Sequence, residues 1–97
     1  MKAVFIAYDQ AYADEIVEVL ESFGQRGFTR WGSIGGRGDV DGVPHLGNHA
    51  WPAMNDAIMV VVQDDLVPKI LAELRAKDEA SKDLGLRAFV WNVEDSI

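Results

Sequence analysis

Arg37 stands among three glycines in the stretch GGRG, Gly35 to Gly38, and a few residues on His45 and His49 stand four apart in HLGNH. Each group suggests a chemistry. Glycine lets a backbone approach a ligand closely, and successive N–H groups can form a nest for an anion, to which a guanidinium adds charge-assisted hydrogen bonds. Gly35, Gly36, Arg37 and Gly38 are therefore candidates for holding a phosphate or carboxylate, with a glycine-rich turn at the end of a strand as the alternative. Two imidazoles at His-x₃-His spacing are divalent-metal ligands when the backbone brings them together. Asp39, Asp41 or a neighbouring subunit would have to complete the shell, and the alternative is two exposed or locally hydrogen-bonded histidines.

Other chemistries find less support. There is no cysteine, Ser33 has no nucleophile-elbow setting, and both histidines lie within five residues, so no catalytic triad is indicated and the chain reads as a non-enzyme. Sixteen acidic against nine basic residues give a net charge of −7, which disfavours nucleic acid. No apolar run approaches the ~20 residues of a membrane span, and no signal-peptide pattern opens the chain, so a cytoplasmic protein without membrane insertion is expected. Without a secretion signal, the RGD at 37–39 reads as chance.

Most of these residues lie in a long connection, 33–56, holding five of the nine glycines and both histidines. Connections in compact domains run about 4–6 residues, and much longer ones are mostly functional or disordered. This one reads as mobile from about Gly36 to Pro52, with Trp51, held extended by Pro52, expected to anchor its return, the alternative being to stack on a ligand base. Around it the pattern predicts strands at 2–8, 27–34, 57–63 and 87–93. One helix is predicted through AYADEIVEVLESFG with Gly24 as its C-cap, and another, capped by Asp64 or Asp65, through about Lys77.

The order β-α-β-β-α-β over 1–97 predicts one α+β domain of ferredoxin-like type, a four-stranded antiparallel sheet with two helices on one face. The strands are apolar on both sides: Val4, Ile6 and Tyr8 against Ala3, Phe5 and Ala7; Ile58, Val60 and Val62 against Ala57, Met59 and Val61; Phe89, Trp91 and Val93 against Ala88 and Val90. Fully burying one large apolar side chain contributes roughly 1.5–3 kcal/mol, so leaving four wet forfeits about 6–12 kcal/mol, comparable to a domain's stability. A second face so composed predicts association.

Element order, doubly apolar sheet, long insertion and the Gly36-Arg37 pair together resemble the PII-like signalling superfamily, and also the CutA group of trimers. The resemblance implies a homotrimer with sheets packed about a three-fold axis, residues 35–55 as the T-loop, and a small ligand in the clefts between subunits. It points to an adenine nucleotide near Gly35, Gly36, Arg37, Gly38, Gly85 and Arg87, and to a protein partner such as a transporter or enzyme engaged through the loop. The CutA alternative implies a divalent-metal buffer or sensor using His45 and His49. The branch is a divergent one: Gly38 stands where ordinary PII proteins have a glutamine, residues 33–56 hold no tyrosine, and Gly85 is alone where they have several glycines.

Overall fold

The computed structural model describes residues 1–38, 40–81 and 85–97. The elements follow in the expected order: β1 (Lys2–Asp9), α1 (Ala13–Ser22), β2 (Thr29–Ile34), β3 (Asn55–Val62), α2 (Val67–Ala80) and β4 (Arg87–Asn92). The strands form one antiparallel sheet in the order β2-β3-β1-β4. Both helices lay their apolar stripes, Ile16 and Leu20 from α1 and Ile70 and Leu74 from α2, against Val4, Ile6, Tyr8, Ile58, Val60 and Val62.

The period of two along each strand sorts side chains between the faces, and the register aligns the rows. Val4 lies between Val60 and Val90, and Ile6 between Ile58 and Ala88, all toward the helices. The intervening residues make the other face: Phe5 between Met59 and Phe89, Ala3 between Val61 and Trp91, Ala7 between Ala57 and Arg87. Trp31 of β2 joins them, its ring centroid 6.1 Å from that of Phe5. Both faces are apolar as expected, but only one is covered; Phe89 is 59% exposed, Trp91 47% and Trp31 44%.

α1 ends as the sequence predicts. Gly24 takes φ +78°, the Gly24 amide donates to the Glu21 carbonyl and that of Gln25 to the Leu20 carbonyl, a Schellman closure that glycine makes without strain. Its start differs: a 3-10 turn, Gln10–Tyr12, comes first, with the Asp9 carboxylate accepting from the Ala11 amide. The expected aspartate cap on the second helix is not made either. Asp64–Leu66 form a 3-10 turn that runs directly into α2, and no side chain caps Leu66. Asp64 instead accepts a hydrogen bond from the N-terminal ammonium at 2.9 Å, which holds its carboxyl below the usual range. α2 continues past Lys77 to Ala80 because Asp78, Glu79 and Ala80 offer nothing to break it. β2 starts two residues later than expected and β3 two residues earlier.

Tyr8 lies fully buried beside Asp56, its hydroxyl without a hydrogen-bond partner among the described residues. Burial, and then the Asp56 carboxylate, raise its pKa above the ordinary 10.0, against the opposing pull of Arg30. Above pH 10 the unfolded chain releases this proton while the folded chain keeps it, so stability falls as pH rises. Tyr8→Phe is expected to flatten that alkaline loss and to be no less stable than wild type at pH 7, since it removes an unpaired hydroxyl. Denaturant melts at pH 7 and pH 11 check this, and identical alkaline slopes for the two proteins would contradict it. Ile6→Ala, which empties the centre of the covered face, is expected to lower stability by about 2–5 kcal/mol in the same assay.

Candidate functional site

Beyond β2 the chain bulges out of the sheet. Register with β3 shifts between Trp31 and Ile34, Ser33 adopts φ 55°, and the Ser33 amide donates to Asp56 Oδ1 at 2.8 Å while Arg30 Nη2 donates to Asp56 Oδ2 at 2.8 Å. Positive φ in a non-glycine residue is uncommon and is held here by the buried carboxylate. The bulge turns the following residues back across the end of the sheet.

The long connection is not without structure. Gly36 and His45 exchange backbone hydrogen bonds, amide to carbonyl, at 2.8 and 2.7 Å, which closes 36–45 into a loop of its own. A second turn is made by Gly47 donating to the Ala53 carbonyl and Asn48 to that of Trp51, and the Gln10 amide stitches the return to the Met54 carbonyl. Trp51 does not anchor this return as the sequence suggests. Its side chain is exposed, because Asn48 Oδ1 takes the Trp51 amide and holds the residue in a surface turn.

Gly35, Gly36, Arg37, Gly38, Gly85 and Arg87 line one cavity of about 430 Å³, together with Phe5, Ala7, Ile34, Asn55 and Phe89. All six residues marked out for ligand binding thus come together, although 47 positions separate Gly38 from Gly85 in the chain. The contact between the two segments depends on Gly38 having no side chain: a Cβ there would lie 2.9 Å from the Gly85 carbonyl oxygen and 3.0 Å from its Cα. Gly38 therefore serves chain-on-chain packing, while Gly85 supplies a backbone turn at φ +63°. Gly36 has no amide left for an anion, since its N–H is committed to His45.

Two guanidiniums and no carboxylate are found among the described residues that line this cavity, in a chain of net charge −7. Arg37 is exposed, and Arg87 Nη1 donates to the Leu86 carbonyl at 2.7 Å. Phe5, Ile34 and Phe89 supply apolar wall, so the cavity sets two cationic side chains beside an apolar surface.

The histidines do not form a pair. His45 is buried at 2% exposure, Nδ1 donating to Asn55 Oδ1 at 2.6 Å and Nε2 lying 3.9 Å from Asp9 Oδ2, whereas His49 is exposed. Among the described residues no group of three His, Cys, Asp or Glu side chains is arranged to hold a metal ion, and Asp39 lies outside the described residues. The turn at Gly47 separates the two rings, so the metal-binding alternative has no support in the geometry. Sequence reading passed over Asn55 and Asp56, the two polar residues that open β3. Their one signal was position, a polar pair at the head of an apolar run. A further cavity of about 630 Å³ is lined by Asp9, Gln10, Arg30, Ser33 and Asp56 among others.

The family profile described as nitrogen regulatory protein P-II matches residues 1–97. No curated protein sequence matches the chain. Among solved structures, the chain is similar to CPII, a nitrogen regulatory PII-like protein from Thiomonas intermedia K12 bound to ADP, AMP and bicarbonate, with 22% identity over 93% of this chain and 82% of that one and a TM-score of 0.76. The apo form of CPII gives 20% identity over 93% and 85% of the two chains and a TM-score of 0.72. A PII-like signaling protein from Thermus thermophilus gives 24% identity over 95% and 85%, and a TM-score of 0.66. With the whole of 1–97 matched by the profile and the sheet, helices and long β2–β3 connection in the arrangement of PII-like structures, the chain belongs to the nitrogen regulatory protein P-II family.

Proposed function

We propose that the chain is a PII-like regulator rather than an enzyme, a homotrimer of one-domain subunits that binds an adenine nucleotide in the cavity beneath its long loop and signals to a partner protein through that loop. The observation that carries the reading is the convergence of Arg37 and Arg87 on one cavity that also has apolar wall. Guanidiniums suit the phosphates, and Phe5, Ile34 and Phe89 suit the base. CPII, a structural relative, is bound to ADP and AMP, which supports a nucleotide of this class.

Phe5, Ala7 and Phe89 belong to the cavity and to the uncovered sheet face at once. A neighbouring subunit on that face would supply the cavity's missing side, so assembly and ligand binding share one surface. The loop from 36 to 52 carries exposed Val43, Leu46 and Trp51, apolar groups suited to a protein partner such as a transporter or enzyme.

Calorimetry with ADP tests the site. Arg37→Ala is expected to weaken binding roughly ten- to a hundredfold, the value of a charge-assisted hydrogen bond, while changing folding stability little. Arg87→Ala is expected to weaken it as well, with losses that do not add in the double variant because both groups hold one anion. An unchanged affinity in Arg37→Ala would overturn the site assignment.

Light scattering tests the assembly. The expected mass is three times the 10.7 kDa of the chain, and Trp91→Asp is expected to shift it toward one chain, because an aspartate in a packed apolar interface is left unpaired. A wild-type mass of one chain at micromolar concentration would exclude the trimer.

A further inference from the structure

We infer that His45, which does not line the cavity, is the positioning residue that holds its two glycine walls in register and thereby sets ligand affinity; for the identity of the ligand this rests on the reading above. Arg37 and Arg87 come from distant segments, the first beside Gly36 and the second two residues after Gly85. Both must meet one anion. His45 stands against the first and beside the second.

Its backbone fixes the first: amide and carbonyl pair with Gly36 at 2.7 and 2.8 Å. Its ring stands beside the second: a Cβ on Gly85 would meet it in ordinary van der Waals contact, 3.4 Å from His45 Cε1 and 3.7 Å from Nδ1. Gly85 holds φ +63°, a conformation in which a side chain would be strained, and the imidazole occupies the space beside it. The circuit closes through Asn55. Nδ1 of His45 donates to Asn55 Oδ1 at 2.6 Å, and Asn55 Nδ2 lies 2.8 Å from where a Cβ on Gly36 would stand. Asn55 in turn lines the cavity. Removing the imidazole would leave Asn55 Oδ1 buried without its donor and open the space beside Gly85, while the Gly36 backbone pairing remained. The two arginine-bearing segments would then be held less tightly in relation to each other, and a site that must be organised on binding binds more weakly than one organised beforehand.

The test uses the full chain, ADP as probe, and amide hydrogen exchange without ligand. His45→Ala is expected to weaken ADP binding roughly tenfold. His45→Asn, whose amide N–H can reach Asn55 but cannot cover Gly85, is expected to recover part of that loss. In both variants exchange at Gly38 and Gly85 is expected to accelerate while that at Ile6 and Ile58, in the covered core, stays as in wild type. Wild-type ADP affinity in a folded His45→Ala, or unchanged exchange at Gly38 and Gly85, would overturn the inference. Should wild type take up no ADP, the adenine-nucleotide reading fails by itself, and the exchange pattern still decides the role of His45. Should His45→Ala unfold, His45→Asn decides it: accelerated exchange at Gly85 supports the inference and unchanged exchange refutes it.

Discussion

Two helices suffice to cover one face of a four-stranded sheet, and this sheet is apolar on both, a constraint from which the rest of the molecule follows. β1 sits in the interior of the sheet, and its alternation decides the matter, sending Val4, Ile6 and Tyr8 to the helices and Ala3, Phe5 and Ala7 to the far side. A solvent-facing antiparallel sheet would carry polar residues on that far side. Here Phe5, Phe89, Trp31 and Trp91 present wide apolar surface, and the cavity that collects the arginines opens at the edge of that surface. The cavity and the uncovered apolar surface thereby lie at the same end of the same face.

The polar counterpart is the head of β3. Asn55 and Asp56 are buried, and burial of unpaired polar groups is unfavourable, so each fixes whatever segment satisfies it. Asp56 takes the Ser33 amide and the Arg30 guanidinium, which bends the chain out of β2; Asn55 takes His45, which brings it back. Arg30 remains half exposed while Asp56 does not, so the pair is anchored from the carboxylate side. Exit and return of the long loop are set by neighbouring residues on one strand.

Much of this was legible in the sequence and some was not, for reasons that can be stated. Period-two alternation in β1, β3 and β4 and period 3.6 in α1 are local signals, and they gave both the element order and the doubly apolar sheet. The glycine-arginine stretch was recognised by residue type and Gly85 and Arg87 through the family resemblance, and the fold brings them together. The failures are long-range. His45 and His49 share a spacing that implies a pair only if the backbone between them is regular, and Gly47 lies there with φ +66°. Asn55 and Asp56 read as the edge of a loop because nothing local shows that their partners are residues 45, 33 and 30. The aspartate cap of α2 failed for the same reason, since the competitor for Asp64 is the chain's own N-terminus.

The glycines at 38 and 85 show how the two kinds of signal combine. Read locally, each permits an unusual backbone or a close ligand. In the fold, the first bears on the carbonyl and Cα of the second, a contact any side chain at 38 would prevent, and the second turns with positive φ against a buried imidazole. A loop fastened in this way to the segment before β4 cannot move its base without disturbing the position of Arg87 relative to Arg37. On the proposed reading, an anion bridging the two guanidiniums would favour the arrangement in which Gly38 and Gly85 touch, and an occupied cavity would then hold the base of the loop above it.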